Sequence, residues 1–261
     1  MKAESFGWRH LLVIAAYIAT LAMNFISQSA GSTFFPRTVD QIAQQYRIFF
    51  LPAGYVFAIW GVIYLGLGAF VVYHSSGAGR RDQYMPRVGW LFILSSVANI
   101  GWLVFFLNSQ FALSTVAMLA LLGSLLLIYT YQGIGIRAVD DWVRWATFIP
   151  YSIYLGWITV ATVANVAYVL FDAGQANWLG IAGETWTVIM VGVAALITAL
   201  MLFKRHDVAY TLVVIWALVG ITARYPDVAT VAAASGVAAA LLAVLIVLRF
   251  IRGSIPTPQA S

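Results

Sequence analysis

A chain of 261 residues that is 62% hydrophobic, 15% aromatic and 9% charged, with a mean hydropathy of +0.90, is too apolar for a soluble globular domain. Its formal charge of +5 does not signal a nucleic-acid partner, because Lys and Arg fall in twos and threes at the ends of apolar runs and never form one basic patch. The absence of cysteine excludes disulfides, thiolate metal sites and thiol nucleophiles.

Eight runs are long enough to cross a hydrocarbon core, which takes roughly 20 apolar residues: Leu11–Gln28, Ala53–Tyr73, Arg87–Leu107, Phe111–Tyr131, Trp145–Phe171, Thr185–Phe203, Val208–Arg224 and Val228–Ile251. They predict an all-α, polytopic membrane helix bundle of about eight transmembrane helices, with Val208–Arg224 the shortest. The first run follows Lys2, Arg9 and His10 and ends in SQSA, as a secretory signal does. It is long for a signal, and Asn24 interrupts its end, so an uncleaved first helix is expected.

Between the first two runs lies the longest connection, residues 29–52. Within it Thr38 is an N-cap candidate, and Ile42, Tyr46 and Phe49 follow at the spacing of one helical face. This reads as a short amphipathic helix that lies on the bundle as a lid, or on lipid. The second run then carries Tyr55, Phe57, Trp60, Tyr64 and Gly68 at steps of three and four. Hydrocarbon rewards apolar area without asking for rings at fixed spacing, so a ring-lined surface inside the bundle is predicted.

Two further stripes agree with it: Ser95, Asn99, Trp102 and Phe106 on the third run, and Tyr154, Trp157, Ala161, Asn165 and Tyr168 on the fifth. Alternating topology puts Asn24, Trp60, Asn99, Trp102 and Asn165 in one half of the bilayer. Taken singly, each amide reads as glue between helices; together they point to a site. Trp8, Trp90, Trp142, Trp145, Trp178 and Trp186 sit at run ends and read as interface anchors, while Trp216 is mid-span and ambiguous between packing and function.

No run carries an ionisable group at its middle, which argues against ion-coupled transport and voltage sensing. The nine carboxylates all fall in loops, tails or run ends. His10, His74 and His206 cluster near one membrane face and read as solvated side chains, and no catalytic constellation or metal site can be assembled.

The ordered set of Gly31-Ser32, Ile42 and Tyr46, Tyr55-Val56-Phe57 with Trp60, Tyr64 and Gly68, Asn99-x-x-Trp102 with Phe105-Phe106, and Pro150-Tyr151 leading to Trp157, Thr159, Ala161 and Asn165 resembles the TspO/MBR family. These are the tryptophan-rich sensory and translocator proteins. The resemblance covers about residues 8–172. It implies a five-helix bundle whose first loop caps a pocket for a flat apolar ligand, a porphyrin or haem, with Trp60, Asn99, Trp157 and Ala161 in the pocket and Tyr64, Trp102 and Asn165 supporting it. It also implies a tryptophan-dependent photo-oxidation of bound porphyrin. Three departures stand out: Pro52-Ala53-Gly54 replaces a longer proline-rich approach, with Tyr55 in place of a tryptophan; VLFDAG after Tyr168 lacks the basic residue of a sterol motif; and Thr185–Ile251 adds three helices that the short family members lack.

The expected organisation is a five-helix membrane domain at 1–172 with its lid loop at 29–52, a three-helix C-terminal extension at 173–252 and a disordered tail at 253–261. Eleven of the fourteen Lys and Arg fall on the face that holds both termini, which predicts a bacterial inner-membrane protein with both ends cytoplasmic. Membrane lipid and a tetrapyrrole-like ligand are the expected partners, and self-association stays open. Two classes of function remain: a ligand-binding or sensory protein, and a small-molecule permease or scaffold subunit that merely packs these rings. A permease of repeat architecture would show internal symmetry, and no repeat is evident.

Overall fold

The computed structural model describes residues 5–28, 35–174 and 177–253. Residues 29–34, with Gly31-Ser32, and residues 254–261, nearly all of the predicted tail, lie outside it. Within the described residues the chain is helical, and the predicted runs appear within a few residues of their expected ends. We number them α1 (Trp8–Ile26), α2 (Val39–Gln45), α3 (Ile59–Ser75, entered through a 3-10 turn at Gly54–Ala58), α4 (Met85–Leu107), α5 (Phe111–Gln132), α6 (Asp141–Asp172), α7 (Gly183–Lys204), α8 (Val208–Arg224) and α9 (Ala229–Gly253).

Seven helices are long and apolar enough to span a membrane. The exception, α8, has 17 residues and reaches about 25 Å, short of a hydrocarbon core of about 30 Å. It can be short because protein holds both of its ends, through Asp207 at the start and Tyr225 just past the finish.

α6 is a 32-residue helix with one irregularity, a π turn at Arg144–Phe148. Pro150 follows at once. Having no N–H, it cannot bond the carbonyl of Ala146, and the widened turn absorbs the break. α6 is the hub of the molecule, packing against α3, α5 and α8, while α7, α8 and α9 pack on one another and reach the preceding helices mainly through the contact of α8 with α6.

The loop between α1 and α3 carries the expected short helix, but not its full length. Thr38 caps α2 as predicted, its Oγ accepting from the Gln41 N–H at 3.3 Å while its own N–H donates to Gln41 Oε1 at 2.9 Å. The helix ends at Gln45, where Tyr46 turns extended. Phe49 therefore leaves the face it was expected to share with Ile42.

One expectation is corrected outright: His10 and His74 are buried, not solvated. Their rings lie 4.9 Å apart where the start of α1 meets the end of α3, and Phe6 stacks on His10 at 5.0 Å. Each sits at the end of its own helix, and a one-dimensional reading cannot show that the two ends meet.

Candidate functional site: an aromatic chamber and its side crevice

The three predicted stripes converge. Trp60 from α3, Trp102 and Phe106 from α4, and Trp157, Ala161, Asn165 and Tyr168 from α6 line one small chamber near the α2 end of the bundle. Its volume is about 40 Å³, room for a water or two. The rings form a continuous set: Trp60 stacks on Tyr64 at 5.5 Å and on Trp102 at 6.0 Å, Trp102 stacks on Phe106 at 5.5 Å, and Phe106 meets Tyr168 edge-on at 5.0 Å. Trp157 stands edge-on to both Trp60 and Phe57.

On the other side of the Trp60 and Trp102 pair lies a crevice of about 820 Å³ between α1, α3 and α4. Asn24, Phe25, Phe57, Tyr64 and Leu103 are on its wall, and Val39, Phe57, Trp60 and Trp102 line both spaces. The two volumes are thus separated by little more than the paired indoles.

The amides divide by role. Asn165 accepts from Trp102 Nε1 at 2.9 Å and donates to Ser114 Oγ at 3.0 Å and Thr115 Oγ1 at 2.6 Å, so it fixes the Trp102 ring while tying α4, α5 and α6 together. Asn99 is fully buried behind the wall, accepting from Asn24 Nδ2 at 3.1 Å and donating to the Tyr154 hydroxyl at 3.2 Å. It lines neither space. Ser95, Thr159 and Thr162 bond back to carbonyls of their own helices.

Three buried donors on these walls have no partner among the described residues: the Tyr64 hydroxyl, the Trp157 indole N–H and the Tyr168 hydroxyl. Buried polar groups are nearly always satisfied, so three orphans around one pair of indoles mark a place where something else supplies acceptors.

The loop covers the chamber through Val39, Leu51 and Pro52. Of the predicted lid residues, Ile42 is fully buried, and Tyr46 meets Phe111, Tyr168 and Phe171 edge-on at 5.3 to 5.7 Å. Phe49 instead packs on Tyr225 at 5.4 Å. Sequence reasoning missed the clasp this belongs to. The end of α8 holds the last part of the loop: the Tyr225 hydroxyl donates to the Ile48 carbonyl at 2.7 Å, the Ala53 N–H to the Gly220 carbonyl at 3.0 Å, and Trp216 Nε1 to the Val56 carbonyl at 3.1 Å. Trp216, ambiguous in sequence, is therefore a tether for the turn that launches Trp60. Gly220 is required there, since a Cβ would fall 2.2 Å from Val56 Cγ2.

The family profile described as TSPO-like protein matches residues 10–248, with the aromatic stripes, α7, α8 and most of α9 inside the match. The chain belongs to the TSPO-like family. No curated protein and no solved structure matches it. As a TSPO-like protein it is an integral, multi-pass membrane protein in contact with lipid, and the match shows that α7, α8 and α9 belong to the family region of this chain.

Proposed function

We propose that this TSPO-like protein binds a flat, largely apolar ligand of the tetrapyrrole class, a porphyrin or haem, against the Trp60 and Trp102 pair, and serves as a sensor or translocator of it. The observation that carries this reading is the uncharged aromatic wall of Phe57, Trp60 and Trp102 shared by the two spaces, with the unpartnered Tyr64 hydroxyl on its crevice side and the unpartnered Trp157 indole N–H and Tyr168 hydroxyl on its chamber side. A tetrapyrrole offers a large π-face for the indoles and peripheral carboxylates that accept hydrogen bonds. Size supports the crevice as its seat. Sites for organic ligands run about 300–1,000 Å³, a range that includes the crevice at about 820 Å³ and excludes the chamber at about 40 Å³. Among the described residues neither wall carries His, Cys or Met, and Tyr64 is the crevice side chain of a type that ligates haem iron, so comparing haem with free-base porphyrin tests whether that phenol contributes.

The scaffold reading draws on the closed chamber and on the complete pairing of Asn99 and Asn165, which resemble a packed core. Titration of purified protein with protoporphyrin, followed by tryptophan quenching and the Soret band, separates the two. Binding that weakens modestly in Trp60→Phe and Trp157→Phe, with a much larger loss of light-driven ligand bleaching, supports the ligand reading. No saturable binding would leave the scaffold.

We further propose that both termini face the cytoplasm of a bacterial cell, a reading supported by the eleven of fourteen Lys and Arg that eight crossings place on that face. Reporter fusions at Gly77, Gly174 and the C-terminus should read in, out and in; an external C-terminus would reverse the assignment.

A further inference from the structure

A second large cavity lies away from the aromatic site. It is an open groove of about 710 Å³ between the first part of α6 and α8, floored by Phe148, Ile149, Ser152 and Ile153, with Ile59 at its back. Its mouth is at the arginine-rich end of the bundle, where α5 ends and α6 and α8 begin. There Arg137, Arg144 and His206 line it. From the mouth it runs along α8 from Asp207 to Trp216, nine residues or roughly 13 Å, close to the depth of one leaflet of a hydrocarbon core about 30 Å thick. The far end is closed by Trp216, held by its bond to the Val56 carbonyl.

The charges at the mouth are unevenly spent. The Arg137 guanidinium lies over the Tyr84 ring at 4.1 Å and the Phe148 ring at 5.3 Å, and its Nε donates to the Gln132 carbonyl at 3.0 Å. Its Nη2 is buried with no hydrogen-bond partner, and no carboxylate pairs with it among the described residues. Among the described residues the one ion pair of Arg144 is an exposed contact with Asp141, at 3.7 Å. The one carboxylate on the wall, Asp207, is already committed: it accepts from Tyr129 at 2.7 Å, Ser152 at 2.6 Å and the Tyr210 N–H at 2.9 Å.

The mouth is also held rigid. Gly135, at φ +79°, lets the α5–α6 loop approach so closely that a Cβ would sit 1.8 Å from the Arg205 carbonyl oxygen. The π turn places Arg144, Trp145 and Phe148 together on the wall, and such turns recur at functional sites.

A mouth that carries Arg137 and Arg144, with no carboxylate paired to Arg137 among the described residues, opening onto an apolar trough one leaflet deep, matches one chemistry. We propose that this groove holds an anionic phospholipid, its phosphate on Arg137 and Arg144 and one acyl chain laid along α8 toward Trp216. The inference stands apart from the ligand reading of the aromatic site, with which the groove shares no residue.

The test is native mass spectrometry of the detergent-purified full chain given equal concentrations of dioleoyl phosphatidylglycerol and dioleoyl phosphatidylcholine. The wild type should retain one phosphatidylglycerol in preference to phosphatidylcholine. Arg144→Gln should cut that preference about fivefold, and Arg137→Gln by at least as much, since a basic residue near a lipid head group is worth about 1 kcal/mol; Arg137→Lys should keep most of it. Because Arg137 also stacks on two rings, Leu212→Trp supplies an independent arm: half-exposed on the groove wall, it fills the trough without touching the core, and retention of both lipids should be lost. Equal retention of the two lipids by the wild type would overturn the proposal. So would unchanged selectivity in Arg144→Gln, unchanged retention in Leu212→Trp, or full competition by glycerol phosphate at the lipid concentration, which would leave the chain without a role.

Discussion

The two ends of α6 hold opposite kinds of site. Toward its C-terminus Trp157, Ala161, Asn165 and Tyr168 face a nearly filled chamber with no charged group on its wall. Toward its N-terminus Arg144, Trp145, Phe148 and Ser152 face an open groove beside two more basic side chains and a buried carboxylate. The same helix serves both because a charge is tolerable near a membrane face and costly at depth. Specificity at depth must come from rings and neutral donors. Near the face it can come from ions.

The sharpest way to break this contrast is at Asp207, which is 6% exposed yet ties α5, α6 and the start of α8 through three hydrogen bonds. Asp207→Ala strands the Tyr129 and Ser152 hydroxyls and should cost about 3 kcal/mol, with Asp207→Asn losing about half as much because one carbonyl oxygen remains to accept. Thermal midpoints in detergent check this. Equal midpoints for the wild type and the alanine variant would show that α8 docks without the carboxylate.

Next comes the clasp at the other end of α8. Gly220→Ala forces a Cβ against Val56 and Pro52, so either the helix or the turn before Trp60 must move, at a cost of about 2 kcal/mol. The expected readout is double: a lower thermal midpoint and faster porphyrin dissociation, with the lipid selectivity of the groove unchanged. Loss of stability without any change in dissociation would detach the clasp from the aromatic site.

How much of this was legible beforehand follows from what each feature depends on. Hydropathy marks long apolar runs, so the seven membrane-length helices and the shorter α8 could be read from it, and the three converging stripes from Trp60, Trp102, Trp157 and their neighbours. Asp207 was read correctly as a helix-end residue, but its burial depends on Tyr129 and Ser152 arriving from 78 and 55 residues away. Phe49 misled for a local reason: its spacing fitted a helix that stops at Gln45. The meeting of His10 with His74, and of Tyr225 with Ile48, needs the packing of whole helices, which no periodicity encodes.

A smaller effect separates wall from support at the chamber. Asn165→Leu removes the acceptor for Trp102 Nε1 and the donor to Ser114 and Thr115, whereas Asn99→Leu breaks only the link from Asn24 to Tyr154 behind the wall. Polar contacts inside a membrane are worth about 0.6–2 kcal/mol each, so both variants should fall by about 1–2 kcal/mol. Only Asn165→Leu should weaken porphyrin binding severalfold, because it alone frees an indole that faces the ligand. Comparable losses of affinity in both would place Asn99 in the site itself.

The smallest expected change is at Tyr225, just past α8, and its sign is set by pH. Burial pushes the phenol pKa up, partly opposed by the neighbouring Arg224. A raised pKa in the folded protein means that the hydroxyl's contribution is complete below the free tyrosine value of about 10 and is lost as pH climbs through the folded value. Tyr225→Phe removes the bond to Ile48 but leaves the ring against Phe49, so at pH 7–9 porphyrin should dissociate a few-fold faster than from the wild type, in keeping with a hydrogen bond worth about 1 kcal/mol. The two proteins should converge only as pH climbs through that raised folded value, because the wild type then loses what the variant never had. Other tyrosines titrate in the same range, so the difference between the two dissociation rates is the quantity to follow. Equal dissociation rates for the two proteins at pH 7–9 would show that this hydroxyl does not hold the lid.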